Sequence, residues 1–354
     1  MKPTTFYTLV GLTVISVVAA GISVSMQTNV TTLTPGTEPA FPLLKKNINE
    51  VVKLELRNSK TSFSITRNSG NWGLDQKDGY GVEFEKVKSA IVNIANFKLI
   101  ERKTSDPARY KRLEVRDPKS KNAKSKKIVL KNGQGDILAE AVIGKVNVNL
   151  FGMGGAGTYL RRYNEKETWL VRGQVTLGKE PNDWLARQIV NFGQEKVRRV
   201  KIEAPDGAGF VISKRNQKDK NFVLDSAPKN RKLKNLDELN PLGGVMWRMM
   251  FDDVKKAKRQ KWPSKTWIAH YETWTGLVVR IETAKFGDDY WGRFSASVVK
   301  DISDKHRKAA DKLAQSISSK TKGWSYLLTA GDSEKLISKV TDYLSPVRKK
   351  DSKK

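Results

Sequence analysis

Six consecutive residues in the middle of the chain match a motif that binds dinucleotides. Residues 152–157, Gly-Met-Gly-Gly-Ala-Gly, have the GxGxxG spacing in which glycines let the backbone approach a pyrophosphate. The motif requires a helix that begins at its last glycine, so that the N–H groups of the first turn face the phosphates. Thr158-Tyr159-Leu160 instead has the composition of a strand, and no Gly-Lys-Ser/Thr sequence of a phosphate loop follows. We therefore expect a hairpin connection here and no cofactor.

Two histidines and one Ser-x-x-Lys sequence could also do chemistry. His270 and His306 are the only imidazoles, and no HExxH motif or spaced set of further ligands accompanies them, so we expect no metal site. Ser297-Val298-Val299-Lys300 fits the pattern of penicillin-binding enzymes, but the Lys-Thr-Gly motif is absent and the serine lies in a strand-like segment. The sequence predicts no catalytic residue in either set.

Carboxylates occur as adjacent pairs at Asp252-Asp253 and Asp288-Asp289. Paired carboxylates can do acid/base work or bind hard cations, but adjacent side chains on a strand or helix point apart. We expect both pairs to be solvated. A hydrolase would need two carboxylates in one cleft, for which Glu282 and Asp288 are the candidates.

Positive charge is the strongest chemical feature of the chain. Lys and Arg number 66 against 37 Asp and Glu, which gives a formal net charge of +29, concentrated at 119–127, 196–201, 255–261 and 348–354. Such a field attracts an anionic glycan, lipid headgroups or an acidic protein face, although many charge runs are only solvated surface. Nucleic acid is disfavoured, because no zinc finger, basic zipper or RNP pattern is present. The candidate contacts to an anionic partner are Lys255, Lys256, Lys258, Arg259, Lys261, Arg161 and Arg162.

The N-terminal segment Phe6–Met26 has no charged side chain. A helix of this length spans about 30 Å, the thickness of a bilayer core, so we interpret it as a transmembrane anchor, with a cleaved signal peptide as the alternative. Lys2 precedes the segment, and the Thr/Pro-rich stretch 27–44 carries only Glu38, so the N-terminus is expected in the cytoplasm. The prediction is a single-pass protein of the bacterial inner membrane with its bulk periplasmic or extracytoplasmic. The chain has no Cys and hence no disulfide.

The elements that must position these residues follow a repeated pattern. Alternating apolar residues predict strands near 52–56, 63–65 and 72–74, followed by a helix over 82–95. The pattern returns at 200–202, 210–212 and 222–224, with a helix from Leu242 to about Lys258. The predicted fold class is α+β, an N-terminal transmembrane helix followed by repeated small antiparallel sheets backed by helices.

The predicted organisation has seven segments. They are a short cytoplasmic tail (1–5), the anchor (6–26), a tether (27–44), a first α+β module (45–195), a second, repeat-related module (196–262), a C-terminal α+β module (263–347) and a basic tail (348–354).

Several short motifs resemble a known family. They are Trp72-Gly73-Leu74, Ile143-Gly144-Lys145, Thr158-Tyr159-Leu160-Arg161-Arg162, Thr168-Trp169-Leu170-Val171, Asp183-Trp184-Leu185 and Gly323-Trp324-Ser325-Tyr326. With these motifs the chain is similar, over about residues 6–260, to a bacterial family of DUF-type membrane-anchored periplasmic proteins that accompany gliding-motility-type ABC transporter components. The resemblance implies a location and an auxiliary role, and it carries no catalytic residues.

These observations together predict a non-enzymatic, membrane-anchored extracytoplasmic binding or assembly subunit with protein partners in a membrane complex. The setting would be an ABC-type transporter or an envelope polymer system. The alternatives are an envelope hydrolase acting on an anionic glycan and a purely architectural component of a multi-protein envelope machine.

Overall fold

The computed structural model describes residues 38–152, 155–226 and 231–346, and strands predominate over helices in them. The first nine strands are β1 Lys53–Arg57, β2 Ser62–Asn68, β3 Asn71–Leu74, β4 Tyr80–Gly81, β5 Lys98–Arg102, β6 Lys126–Lys131, β7 Ile137–Asn147, β8 Gly157–Arg162 and β9 Thr168–Arg172. The next nine are β10 Gln188–Val190, β11 Val197–Glu203, β12 Gly209–Ser213, β13 Val223–Leu224, β14 Met249–Lys256, β15 Trp267–Thr273, β16 Leu277–Phe286, β17 Asp289–Val298 and β18 Trp324–Leu328. The α-helices are Pro42–Lys46, Phe84–Ala95, Tyr110–Leu113, Asn240–Gly243, Asp304–Thr321 and Ala330–Leu336.

The strands form two large antiparallel sheets, so the fold is mostly β. The predicted fold class, a transmembrane helix followed by repeated small sheets backed by helices, is therefore wrong. Alternating apolar residues mark each strand but do not show how many strands pair beside it, so the breadth of the sheets could not be read from the pattern.

The helix predicted from Leu242 to Lys258 is also wrong. Only Asn240–Gly243 is helical, and Met249–Lys256 is the strand β14. Leu242 and Met249 lie on a helical spacing with the apolar residues between them, which favoured a helix. A β-bulge after Phe251 then shifts the phase of the strand, which hides its two-residue period.

The structure also corrects the predicted localisation. Within residues 38–152, 155–226 and 231–346, no helix is long and apolar enough to cross a membrane. The anchor predicted at Phe6–Met26 and the basic tail 348–354 lie outside the described residues. The predicted single-pass anchor and the inner-membrane localisation therefore have no support in the described residues.

The described chain divides into two units, neither of which is continuous in sequence. Unit 1 contains the residues up to Ser62 together with Lys88–Leu177, and unit 2 contains Phe63–Val87 together with the residues from Gly178 onward. The module boundaries predicted at 195 and 262 divide the chain differently and stay a prediction.

In unit 1, six strands lie in the order β1-β6-β7-β8-β9-β5. Leu54 and Leu56 of β1 are buried, and Glu55 between them is half-buried on the opposite face, as alternation in a strand requires. The β6–β7 hairpin turns at Asn132, whose side-chain oxygen accepts hydrogen bonds from the N–H groups of Gln134 (3.1 Å) and Asp136 (2.8 Å). This Asx turn reverses the chain within five residues.

In unit 2, nine strands lie in the order β13-β12-β11-β15-β16-β17-β18-β14-β10. Tyr271 and Ile281 are fully buried in its core. Helix Asp304–Thr321 connects β17 to β18 and packs against β16 and β17. The hydroxyl of Thr321, in its last turn, donates a hydrogen bond to the carbonyl oxygen of Phe294 (3.0 Å) and so fixes the end of the helix over β17.

The two units share one strand order. The order β1-β6-β7-β8-β9-β5 corresponds strand by strand to β11-β15-β16-β17-β18-β14. Matched polar and charged residues contact one another at 2.9–4.0 Å within each unit, namely Lys53, Glu55 and Lys131 in unit 1 and Lys201, Glu203 and His270 in unit 2. Helix Asp304–Thr321 has no counterpart in unit 1, where a short turn joins β8 to β9. We interpret the correspondence as a duplicated topology with one insertion.

Candidate anion-binding cleft

A cleft of about 590 Å³ opens in unit 2 where helix Asp304–Thr321 ends. Strands β16 and β17, the last turn of the helix and the segment leading into β18 form its walls. Its polar lining residues are Arg280, Glu282, Arg293, Ser295, Ser318, Thr321 and Lys322. We call it the basic cleft.

Strand alternation sets the arrangement of its charged side chains. Ile281 of β16 is fully buried in the core, so its neighbours Arg280 and Glu282 share the opposite face. The antiparallel register of β16 and β17 places Glu282 directly opposite Arg293 and Arg280 opposite Ser295. Cross-strand partners in such a pair have their Cβ atoms about 5 Å apart, which lets the side chains meet.

The three charged residues form an ion triad. The carboxylate of Glu282 accepts hydrogen bonds from the guanidinium groups of both Arg280 and Arg293. Burial raises the pKa of Glu282, but the two guanidinium groups outweigh that effect, and the pKa lies below its ordinary value of 4.5. Glu282 is therefore ionised at neutral pH and does not serve as a proton donor.

Aromatic rings hold the cations without neutralising them. The guanidinium of Arg293 lies over the ring of Trp262 at 4.2 Å, and the ammonium of Lys256 lies over Trp324 at 3.5 Å. Such contacts orient a cation through the ring quadrupole and leave its charge in place. Nε of Arg293 is buried and has no hydrogen-bond partner in the described part of the chain, so the triad does not use every donor it contains.

The balance of charge in the basic cleft is positive. Arg280, Arg293 and Lys322 stand against the single carboxylate of Glu282, and Lys256 adds a fourth cation beside Trp324. Guanidinium groups present several N–H donors in a plane, an arrangement that matches carboxylate, sulfate or phosphate oxygens. The chemistry that this lining supports is the binding of an oxyanion.

The predicted contacts in the segment 255–261 lie beside this cleft. Ala257 lines it, and its N–H group donates to the carbonyl oxygen of Gly323 (2.9 Å), which brings the segment against the cleft wall. Lys255 lies over the ring of Trp291 at 4.4 Å, and Arg259 is ion-paired with Asp78. Lys258 and Lys261, the remaining candidates of this segment, are exposed.

The predicted contacts Arg161 and Arg162 lie on β8 in unit 1 and take no part in the basic cleft. Arg161 donates to the carbonyl oxygen of Glu165 (3.1 Å) and lies over the ring of Tyr110 at 5.2 Å. Arg162 donates from Nε to the carbonyl oxygen of Ala40 (3.0 Å). Their role in binding an anionic partner stays a prediction.

Sequence reasoning missed Arg280, Arg293 and Lys322 as site residues. The signal was present in the sequence as Arg280-x-Glu282, followed later in the chain by Arg293. Only the hairpin register shows that these side chains face one another.

The structure does not pair the carboxylates named for a hydrolase. Asp288 lies in the hairpin turn beyond Phe286, and the four residue-to-residue steps from Glu282 to Phe286 alone span about 13 Å. Glycosidases place their two carboxyl groups no more than about 10 Å apart. Of the other acidic pair, Asp252 is ion-paired with Arg187, and Asp253 with a lysine of the β3–β4 connection.

The remaining sequence motifs lie on ordinary structural elements. Gly157 begins the strand β8, where a dinucleotide fold would begin a helix. His270 and Ser297 lie on strands, and His306 lies on helix Asp304–Thr321. Among the described residues, no group of three or more His, Asp or Glu side chains is placed to hold a metal ion.

The fold and the basic cleft define a mostly β protein of duplicated topology with a cation-rich cleft suited to oxyanions. A family model described as a domain of unknown function, DUF4340, matches residues 72–261, more than half of the chain, and the chain therefore belongs to this family. The membership confirms the DUF-type part of the resemblance found in the sequence. A search of curated proteins found no significant match, and a search of solved structures also found none.

Proposed function

We propose that this protein is a non-enzymatic binding or assembly subunit that holds a carboxylate-bearing face of a partner protein in the basic cleft. The observation that carries the proposal is the convergence of Arg280, Arg293 and Lys322 on one open cleft with a single carboxylate to balance them. A purely structural ion network would pair its charges, whereas here the cations exceed the acid. The net charge of +29 supports an acidic partner by attracting it over long range.

The setting of this activity is a second part of the proposal. The resemblance to a family that accompanies gliding-motility-type ABC transporter components favours a transporter-associated complex. Purification of the native complex through a tag at Lys354, followed by mass spectrometry, tests this setting. Recovery of the protein alone would contradict the partner proposal, and a large partner interface elsewhere on the chain would favour the architectural alternative.

The cleft itself is tested by titrating the full chain with a hexaglutamate peptide and following the fluorescence of its tryptophans, two of which, Trp262 and Trp324, hold cations of the cleft. Removal of one cation about 4 Å from a bound carboxylate costs at least about 1 kcal/mol, so Lys322→Gln should weaken binding about fivefold. Added salt should weaken it further, since the attraction is screened.

The matched control is Lys285→Gln, because Lys285 is exposed on the same strand β16 and does not line the cleft. If both variants lose the same affinity, the effect reflects the net charge of the protein. That result would contradict the proposal that the peptide binds in the cleft. Preferential binding of a sulfated oligosaccharide over the peptide would contradict a protein partner and favour an anionic glycan.

A further inference from the structure

A second concave surface in unit 2 lies beside the edge strand β10. It is a groove of about 440 Å³ between β10, the turn joining β15 to β16, and helix Asp304–Thr321. In the strand order of unit 2, β10 is the terminal strand and pairs with β14 on one side. An unpaired strand edge offers backbone N–H and C=O groups to another extended chain.

Two hydrogen bonds show that the free edge of β10 faces the groove. The carbonyl oxygen of Arg187 accepts from the N–H group of Phe251 (3.3 Å), on the β14 side. The next carbonyl, that of Gln188, accepts from the ammonium group of Lys320 on the helix. Carbonyl groups of successive residues in a strand point to opposite sides, so the outer edge of β10 lies toward the helix.

The floor of the groove is apolar. Ile189, Phe192, Leu277 and Ile317 line it and are largely buried by their neighbours. Leu313, one helical turn before Ile317, is 46% exposed and lines the same groove. An apolar residue that remains half exposed beside an apolar floor gains most when another side chain covers it.

The rim of the groove carries more positive than negative charge. Lys196 and Lys320 stand against Glu83. Burial lowers the pKa of Lys320, and the Glu83 carboxylate opposes this effect. Lys196 is exposed, and its carbonyl oxygen accepts from the N–H group of Trp274 (3.1 Å), which anchors it at the part of the groove formed by the β15–β16 turn. Lys196 is thus available to a carboxylate of a ligand.

We infer that the groove binds an extended, acidic segment of a partner protein, which adds as a strand to the edge of β10. In this mode the main chain of the segment pairs with β10, an apolar side chain covers Leu313 and Ile317, and a carboxylate pairs with Lys196. A second copy of this chain is disfavoured as the occupant, because both copies would carry a net charge of +29. The inference does not depend on whether the basic cleft binds an anion.

The test uses the full chain and a fluorescein-labelled eight-residue peptide of alternating Val and Glu, with binding followed by fluorescence anisotropy. The control peptide has the same side chains but carries N-methyl groups on alternate backbone nitrogens, which removes the donors that pair with a strand edge. We expect the methylated peptide to bind at least tenfold more weakly. Equal binding of the two peptides, or no binding of either, would overturn strand addition.

Variants locate the bound peptide. Leu313→Glu places a carboxylate in the groove and should weaken binding at least tenfold, whereas Leu236→Glu, at a leucine that is 83% exposed outside the groove, should not change it. Lys196→Glu supplies the same readout at an exposed position if Leu313→Glu fails to fold. Lys285→Gln, at an exposed lysine that lines neither the groove nor the basic cleft, should leave peptide binding within twofold. Unchanged binding in Lys196→Glu and Leu313→Glu, or a dimer in sedimentation that Leu313→Glu dissociates, would overturn the inference.

Discussion

Replacement of Glu282 by glutamine should change stability and anion affinity in opposite directions. Glu282→Gln keeps the shape of the side chain but removes the charge that pairs with Arg280 and Arg293. The Glu282 side chain is 18% exposed, and both arginines are more than a third exposed, so solvent screens the pairs. We expect a loss of about 1–2 kcal/mol in the free energy of unfolding.

The same substitution should strengthen anion binding. An anion held between the two guanidinium groups would lie about 4–5 Å from the Glu282 carboxylate, where the repulsion is about 1 kcal/mol in water and about 4 kcal/mol at an effective dielectric constant of 20. Taking the lower figure, the Kd for hexaglutamate should fall about fivefold. The matched control is Glu272→Gln, which breaks an ion pair with Arg198 (3.6 Å) outside the cleft and should leave the affinity unchanged.

The assay combines urea unfolding, followed by tryptophan fluorescence, with the peptide titration at low ionic strength. Because the pKa of Glu282 is lowered from 4.5, its contribution to stability is present above pH 4.5 and is lost as the pH falls through the lowered pKa. The difference in stability between the variant and the wild type should therefore stay constant from pH 7 to about 5 and disappear in stronger acid. A loss of stability without a gain in affinity would refute the cleft as an anion site and leave the triad with a structural role.

Two further predictions concern the packing of unit 2. Gly73→Ala should cost about 2–3 kcal/mol of unfolding free energy, because the added Cβ would overlap the carbonyl oxygen of Gly79, whereas Gly81→Ala has open space and should stay within about 0.5 kcal/mol in the same urea titration. Burial raises the pKa of Tyr80 from 10.0 to about 12, so its contribution to stability, about 2–3 kcal/mol, is full below pH 10 and is lost as the pH rises through about 12. Tyr80→Phe should therefore lose less stability than the wild type between pH 10 and 12, and parallel pH curves for the two proteins would contradict this.

The sequence predicted much of the local secondary structure but little of the pairing between distant strands. The alternation at Leu54 and Leu56, and again at Val200 and Ile202, marked strands that the structure contains, because a half-buried strand must alternate. The width of each sheet depends on pairings between distant segments, and a single sequence does not show them. The bulge after Phe251 had a similar effect, since one extra residue removed the period by which β14 could be recognised.

The sequence revealed only part of the candidate site, because a single sequence does not show which distant segments pair. The basic segment 255–261 is continuous and visible in the sequence, and it lies beside the cleft. Arg280 and Arg293 stand on two strands and meet only through the hairpin register. The groove beside β10 was not visible at all, because which strand lies at a sheet edge depends on the pairing of distant segments.

Helix Asp304–Thr321 bears on how the two units differ after a duplication. Its residues Leu313, Ile317 and Lys320 form one wall of the groove, and Ser318 and Thr321 form part of the basic cleft. Unit 1 joins the corresponding strands by a short turn and therefore lacks both walls. After a gene segment duplicates, one copy can maintain the ancestral scaffold while the other acquires new recognition surfaces. In this protein the copy that contains helix Asp304–Thr321 is the one in which that helix forms walls of both concave surfaces.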